Sequence, residues 1–288
     1  MPRLREYHRP ADMAAALDLL RRKDPPTVPL AGGTWLNPRL GREVPAEAVV
    51  DLGALPLAGI ERDVDTLRLG AMTTLAEVVA DETCRSLADG ILAAAARRDA
   101  PVNVRNAATV GGTLVVAPVD AEFVLALVAL GAEIVLQRAG GGQRLMAAAD
   151  LMSAPDRRAA VEGGLITHVL IQIPLQAAGG AARVARTPSD HPIVAAVAVI
   201  AEDGDAIRIA LGGVAPHPLR VALDPALRRA ADLVEQGRQA AATAIEAAAI
   251  EAAAPYADFR GSAEYRREMG VLLAGRALAR AAAGCQWP

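Results

Sequence analysis

The order of apolar and polar residues along the chain changes at about residue 160. Before that point, short apolar runs alternate with amphipathic helical segments and with glycine-rich turns. After it, apolar strand-like segments are followed by long helical segments, which is typical of an α+β domain. The pattern therefore predicts an α+β protein with two domains, residues 1–160 and residues 161–288.

The N-terminal half shows alternating helical and strand-like patterns. The first 55 residues or so predict alternating strands and helices around a glycine turn. A helix from Thr73 or Thr74 through Ala80 is expected because either threonine can cap it. The other elements predicted here are helices at 12–22, 85–98 and 121–130 and strands at 28–31, 49–52, 66–69 and 133–137.

Residues 102–119 carry many Gly, Asn and Thr residues and lack a helical period. Long segments without regular structure inside compact domains are usually functional or disordered. We therefore expect an irregular segment in this stretch, either functional or disordered.

The C-terminal half is predicted to contain several strands followed by helices. A tight hairpin turn is expected at residues 202–205, where Glu-Asp-Gly-Asp separates two apolar runs. The predicted strands lie at 165–173, 182–186, 193–201 and 206–211, and the predicted helices at 226–236, 239–254 and 262–283.

Composition excludes several classes of protein. The net charge of −3 over 288 residues leaves no basic stripe for nucleic acid. The apolar runs are far shorter than the roughly 18 residues of a membrane span, and no secretory signal is visible. Two distant cysteines, Cys84 and Cys285, cannot alone hold a zinc ion or an iron–sulfur cluster. They also form no disulfide framework, so a cytoplasmic location is expected.

One candidate anion site is the segment Leu30-Ala31-Gly32-Gly33-Thr34. Glycine allows the backbone to approach a diphosphate closely, and successive N–H groups form an anion-binding nest. The threonine hydroxyl adds a further hydrogen bond. The alternative is a plain turn between a strand and a helix, since the motif is neither a Rossmann turn nor a Walker loop.

A second candidate loop follows about 80 residues later, as Arg105-Asn106-Ala107-Ala108-Thr109-Val110-Gly111-Gly112-Thr113. It again combines hydroxyl side chains with a double glycine. Two such loops in one structured domain suggest two walls around one extended ligand. Arg105 belongs either to this site or to a buried structural interaction.

The order of these motifs resembles the FAD-binding medium subunits of the xanthine dehydrogenase and carbon monoxide dehydrogenase family, nearly from end to end. Besides the two glycine loops, the segments that carry the resemblance are Tyr7-His8-Arg9-Pro10, Val50-Asp51-Leu52, Gly59-Ile60, Leu69-Gly70-Ala71-Met72-Thr73 and Asp258-Phe259-Arg260-Gly261-Ser262-Ala263-Glu264-Tyr265-Arg266.

The resemblance implies a two-part FAD-binding α/β domain of the PCMH type, with α/β subdomains at about residues 1–55 and 56–160. It also implies a C-terminal domain of antiparallel sheet and helices. It also implies two partner chains, a molybdopterin-binding large subunit and a 2Fe-2S small subunit, assembled as a dimer of heterotrimers. In such a complex, this subunit's FAD takes electrons from the 2Fe-2S subunit and passes them to an external acceptor.

The chain departs from the family pattern at several positions. Trp35 replaces the usual Asp and either plugs a core or covers the cofactor. Thr113 replaces an Asn. The carboxylate expected near the adenosine end is Asp120 or Glu122, although both could simply cap the helix that follows.

The family's lysine near the flavin ring corresponds to Arg183. A cation there would stabilise reduced flavin, although a surface position on a strand is equally compatible with the sequence. No residue is predicted to be catalytic or to bind a metal. The residues predicted to bind FAD are Leu30, Ala31, Gly32, Gly33, Thr34, Trp35, Leu36, Ala71, Ala108, Thr109, Gly111, Gly112, Thr113, Asp120, Glu122 and Arg183.

Two alternatives to the electron-transfer subunit remain at this point. One is a scaffold subunit that has lost its flavin through the substitutions at Trp35, Thr113 and Arg183. The other is a stand-alone flavin oxidoreductase with its own substrate, against which the lack of a general base argues.

Overall fold

The computed structural model describes residues 4–174, 176–188, 190–201, 206–224, 226–227, 229–252 and 257–285. Over these residues, the chain forms three β-sheets with helices packed around them, and the predicted α+β class is confirmed. The hairpin turn predicted at residues 202–205 lies outside the described residues. None of the helices within the described ranges combines the length and the hydropathy that a membrane span requires.

The first sheet contains three parallel strands. Its elements are β1 (Glu6–His8), α1 (Met13–Leu20), β2 (Thr27–Leu30) and β3 (Ala48–Asp51). The strand order is β1-β3-β2, and α1 begins after Asp12, whose carboxylate accepts the N–H of Ala15 at 2.8 Å. Because β2 and β3 are parallel, both end at the same edge of the sheet, where the first glycine loop begins.

The second sheet contains five strands paired in antiparallel fashion, and it carries most of the short helices. The strands are β4 (Ile60–Arg62), β5 (Thr66–Gly70), β6 (Glu133–Arg138), β7 (Gln143–Ala147) and β8 (Gly164–Gln172). The helices are α2 (Leu75–Ala80), α3 (Glu82–Ser86), α4 (Ile91–Asp99), α5 (Val102–Arg105), α6 (Val110–Val116), α7 (Glu122–Leu130), α8 (Ala148–Ser153) and α9 (Arg157–Ala160). All nine residues of α7 are buried, so this helix is the centre of the largest core.

Strand β8 lies in the middle of the second sheet, between β5 and β6. The sequence pattern assigned this strand to the C-terminal domain, which was predicted to begin at residue 161. The strand's partners all precede residue 160. We therefore propose that the boundary between the two domains falls after β8.

The third sheet is antiparallel and is covered by the two longest helices. Its strands are β9 (Ala177–Val184), β10 (Val194–Ala201), β11 (Ala206–Gly212) and β12 (Leu219–Leu223), in the order β12-β11-β10-β9, and its helices are α10 (Ala230–Ala252) and α11 (Ala263–Gly284). Alternate residues of β10 point to two cores. Val194, Ala196 and Ala198 pack with α10 and α11. Ala195 and Val197 pack in the core that contains α7.

The helix predicted at residues 85–98 is interrupted. Ala88, Asp89 and Gly90 adopt positive φ values of 47°, 56° and 72°, and they separate α3 from α4. Left-handed backbone is unfavourable for residues other than glycine and persists where surrounding contacts stabilise it. Here the carboxylate of Asp89 accepts the N–H of Gly179 on β9 at 3.2 Å. A pattern of apolar residues carries no sign of this long-range contact.

Two other predictions about helices were wrong. Residues 102–119 are not irregular, because they contain α5 and α6. Helix α6 forms although it includes two glycines, and the side chain of Thr109 caps its N-terminus. The predicted break between residues 236 and 239 is absent, since α10 runs through Gly237. A Cβ at Gly237 would lie 2.0 Å from Cδ1 of Leu278, so the glycine allows α10 and α11 to approach each other.

Candidate cofactor site at two glycine loops

The two glycine loops of the sequence lie in direct contact. A Cβ atom built on Gly32 would lie 1.6 Å from the carbonyl oxygen of Ala107. No side chain fits in that space, so only glycine allows the end of β2 to touch the start of the second loop. A Cβ on Gly112 would lie 3.9 Å from Cβ of Ala31. The structure therefore brings together the two segments that the sequence predicted as walls of one site.

The first loop leaves three backbone donors in a row. Among the described residues, none accepts a hydrogen bond from the N–H groups of Gly32, Gly33 or Thr34. Gly33 has a positive φ of 70°, and its carbonyl oxygen accepts the N–H of Asn37 at 2.9 Å, which closes the turn. Consecutive unpaired N–H groups around a left-handed residue form the nest that binds anions.

The second loop is fixed by the segment that contains Ala71. The N–H of Gly111 donates to the carbonyl oxygen of Ala71 at 2.8 Å, and a Cβ on Gly111 would lie 2.9 Å from Cβ of Ala71. The N–H of Leu75 donates to the carbonyl oxygen of Ala108 at 2.9 Å. Thr109 accepts the N–H of Gly112 through its hydroxyl at 3.2 Å. Hydrogen bonds and close contacts thus join the second loop to the segment from Ala71 to Leu75.

Three other residues predicted to bind FAD pack inside the protein or within a helix. Leu36 is buried with Val44, Ala46 and Val49 in a small core of the first subdomain. Thr113 is 9% exposed and lies inside α6. Leu30 ends β2 and is partly buried against the same small core, so it sets where the first loop begins.

Trp35 is partly buried and lies at the edge of this core rather than inside it. The guanidinium carbon of Arg39 lies 4.9 Å from the centre of the indole, and that of Arg158 lies 5.5 Å from it. Both distances are within the range of a cation–π interaction. Trp35 therefore contacts two cations in addition to the small apolar core.

Asp120, Glu122 and Arg183 form a separate charged cluster. Glu122 is 1% exposed, and its two carboxylate oxygens accept hydrogen bonds from Arg98 at 2.9 Å and from Arg183 at 3.0 Å. Arg183 also donates to the carbonyl oxygens of Pro188 and Asp190. No hydrogen bond or ion pair of the described residues joins these three side chains to either glycine loop.

Asp120 differs from Glu122 in having a free oxygen. One carboxylate oxygen, Oδ2, accepts a hydrogen bond from Arg260 at 2.9 Å. The other, Oδ1, is buried and has no hydrogen-bond partner among the described residues. Buried polar atoms without partners are rare and costly, and they often mark a site for a missing group.

Asp99 belongs to this cluster and was missed by the sequence analysis. Its carboxylate accepts the N–H groups of Glu122 at 2.7 Å and of Phe123 at 2.8 Å, so it caps α7 from another segment. Burial and the nearby carboxylates raise the pKa of Asp99 to about 7, although the two backbone N–H groups oppose this. The one signal in the sequence was an acid at the end of α4, where the helix dipole disfavours it.

Arg105 has a structural role in α4. Its guanidinium donates to the carbonyl oxygens of Arg97 at 2.9 Å and of Ala100 at 2.6 Å. These carbonyls lie at the C-terminal end of α4, where the helix leaves them without partners. Of the two roles open in the sequence, the structural one is the one that the contacts support.

Two family matches cover most of the chain. Residues 3–176 match the FAD-binding domain of molybdopterin dehydrogenases. Residues 182–281 match the C-terminal domain of CO dehydrogenase flavoproteins. The chain belongs to the family of FAD-binding subunits of molybdopterin dehydrogenases.

Similar proteins include subunits of known complexes. The chain is 31% identical to the nicotine 6-hydroxylase medium subunit of Paenarthrobacter nicotinovorans, over 98% of this chain and 99% of that protein. It is 31% identical to the protein YgfM of Escherichia coli K12, over 94% of each. The structure also matches carbon monoxide dehydrogenase from Hydrogenophaga pseudoflava, with a TM-score of 0.81, 26% identity and 99% of both chains covered.

Membership of this family confirms FAD as the cofactor and an oxidoreductase complex as the setting. The residues around the glycine loops fit the group, because an extended diphosphate needs a close approach to the backbone and several free N–H donors. The contact between Gly32 and Ala107 shows that the backbone is closely approachable at Gly32. The N–H groups of the loop at residues 30–34 are the free donors.

Proposed function

We propose that this chain binds the diphosphate of FAD between its two glycine loops and transfers electrons within a molybdenum-containing hydroxylase or dehydrogenase. The contact of Gly32 with the Ala107 carbonyl is the observation that carries the proposal. It brings two segments that are far apart in the sequence into direct backbone contact. The N–H groups of Gly32, Gly33 and Thr34 are the donors proposed for the diphosphate oxygens.

The buried Oδ1 of Asp120 is the acceptor that we propose for a hydroxyl group of FAD. Glu122 occupies the position that the family spacing indicates, but its two oxygens already accept hydrogen bonds from Arg98 and Arg183. A further donor to Glu122 would have to share a buried oxygen with a guanidinium, which crowds the site although each carboxylate oxygen has two lone pairs. Asp120 offers an unshared acceptor, because its Oδ1 has no partner among the described residues.

The chemistry of the subunit is that of its cofactor. FAD, when bound, accepts electrons and passes them on, and the protein supplies binding, orientation and electrostatics. Arg183 has its guanidinium engaged with Glu122 and with two carbonyl oxygens. We propose that it acts on the flavin through its charge and through the segment it holds, rather than by direct contact.

We propose two partner chains, a molybdopterin-binding large subunit and a 2Fe-2S small subunit, in a dimer of heterotrimers. Support comes from the relatives named as medium subunits or medium chains. The two cysteines of this chain, Cys84 and Cys285, are too few to ligate an iron–sulfur cluster. We therefore propose that electrons enter from the 2Fe-2S subunit and leave to an external acceptor.

The test starts with the purified chain and FAD. We expect bound flavin to give absorbance between about 350 and 500 nm, and co-expression with neighbouring subunits to yield a complex that contains molybdenum and iron. A folded chain that binds no flavin would support the scaffold alternative. A flavin that NADH reduces in the isolated chain would support the stand-alone oxidoreductase.

A further inference from the structure

The indole of Trp35 contacts two arginines that come from different parts of the fold. Arg39 belongs to the first subdomain, as Trp35 does, and also donates to the Trp35 carbonyl oxygen at 3.1 Å. Arg158 belongs to α9, which packs against α6 and α8. Trp35 therefore links the first subdomain to the second through a cation–π contact with Arg158.

The position of Arg158 is fixed relative to the second glycine loop. Its neighbour Arg157 donates to the carbonyl oxygens of Leu114 at 3.2 Å and of Ala117 at 2.7 Å, at the end of α6. Because α6 begins at the second glycine loop, α9 is fastened to the helix that this loop starts. The contact between Trp35 and Arg158 thus links the residue next to the first loop with a segment attached to the second.

The charge on Arg158 is available to the indole. Its side chain is 60% exposed, and its closest carboxylate among the described residues is Asp156, at 3.9 Å. Arg39, in contrast, forms an ion pair with Glu43 at 3.1 Å. A cation without a tight partner interacts with an aromatic face more strongly than one that is already neutralised.

We propose that Trp35 is a positioning residue that holds the two subdomains closed over the cofactor through its contact with Arg158. The inference rests on the proposed function, since it takes the cleft between the glycine loops as the FAD site. Opening the cleft breaks the contact between Trp35 and Arg158, whereas it leaves the contact with Arg39 intact. The contact therefore slows the release of FAD more than it affects its arrival.

The experiment uses the full chain with Trp287→Phe, which leaves Trp35 as the one tryptophan of the two in the sequence. The variants are Arg158→Gln and Arg158→Lys. The matched control is Arg144→Gln, at an exposed position on β7. Two readouts are compared: quenching of Trp35 fluorescence by acrylamide without FAD, and the rate at which bound FAD is released after dilution.

We expect Arg158→Gln to increase acrylamide quenching and to accelerate FAD release by roughly fivefold, as loss of a partly exposed cation–π contact predicts. Arg158→Lys should restore both values in part, because it keeps the charge. If Arg158→Gln matches the control in both readouts, the proposal is wrong. A chain that binds no FAD overturns the proposed function, and unchanged quenching in that chain overturns the contact as well.

Discussion

The carboxylate of Glu122 and the guanidinium of Arg183 form a 3.0 Å ion pair between helix α7 and strand β9 of the third sheet. Arg98 binds the other oxygen of the same carboxylate at 2.9 Å. Glu122 is almost fully buried, whereas the side chains of Arg98 and Arg183 are 37% and 17% exposed. The buried carboxylate of Glu122 thus pairs with two guanidinium groups that remain partly exposed to water.

We predict that Glu122→Gln lowers the free energy of unfolding by about 2–4 kcal/mol, because both arginines lose a charged partner. Their partial exposure keeps the cost at the lower part of that range. The measurement is urea unfolding of Glu122→Gln, Arg183→Gln and the double variant. Their free energies of unfolding give the coupling between the two residues. Additive effects would show that the pair contributes nothing beyond its separate members.

Asp99 predicts a particular dependence of stability on pH. Its pKa is raised from 3.8 to about 7 in the folded protein, chiefly by burial. Between these values the folded protein keeps a proton that the unfolded chain has released, so stability should fall as the pH rises from about 4 to about 7. Above that range Asp99 should add no further change.

The measurement for Asp99 is a series of urea unfolding curves between pH 4.5 and 8, for the wild type and for Asp99→Asn. The substitution should flatten the curve in this window. Glu6, whose hydrogen bond from Arg22 lowers its pKa to about 2, contributes stability that is lost only at more acidic pH. An Asp99→Asn curve parallel to that of the wild type would contradict the assignment.

The left-handed turn at Ala88 predicts a strong effect at Gly179. A Cβ on Gly179 would lie 2.3 Å from the Ala88 carbonyl oxygen, and the neighbouring backbone cannot yield cheaply. We expect Gly179→Ala to destabilise the protein by about 2–3 kcal/mol, as overpacking in a tight core does. Gly142→Ala is the matched control, since a Cβ there meets nothing within 4 Å and should change stability little. Equal melting temperatures for the two variants would rule out the tight contact between this turn and β9.

Gly112 provides a direct test of the second glycine loop. We predict that Gly112→Asp weakens FAD binding by roughly a hundredfold or more, because a carboxylate beside the diphosphate adds like-charge repulsion. A Cβ at this position would also lie 2.9 Å from Oγ1 of Thr109 and 3.9 Å from Cβ of Ala31 on the first loop. Flavin titration of the folded variant gives the affinity, and Gly142→Asp is the control. Normal affinity in Gly112→Asp would place the diphosphate elsewhere.

Sequence reasoning predicted the class of fold, most of the strands and the two loops that meet in the structure. These features have local signals, namely apolar periodicity and the double glycines. It did not predict which strands pair. The sequence pattern places β8 at the start of the C-terminal domain, and its pairing with β5 and β6 is the observation behind the later boundary that we propose.

The charged cluster was less predictable than the loops because its contacts join residues that are far apart in the chain. Glu122 and Asp120 were both candidates by spacing, and nothing local showed that Arg98, Arg183 and Arg260 would be their partners. The interrupted helix at Ala88 has the same cause, since its unfavourable backbone is offset by a contact with β9. Long-range contacts of this kind have no periodic pattern in a sequence.

Strand β10 has two apolar faces, and each face completes a different core. A fragment that ended at residue 176, where the FAD-binding family match ends, would lack Ala195 and Val197 and would expose part of α7 to water. The two family domains are therefore expected to unfold in one cooperative transition. The C-terminal domain thus keeps water away from the core of the flavin-binding domain. A destabilising substitution in the core of either domain is therefore expected to lower the melting temperature of both.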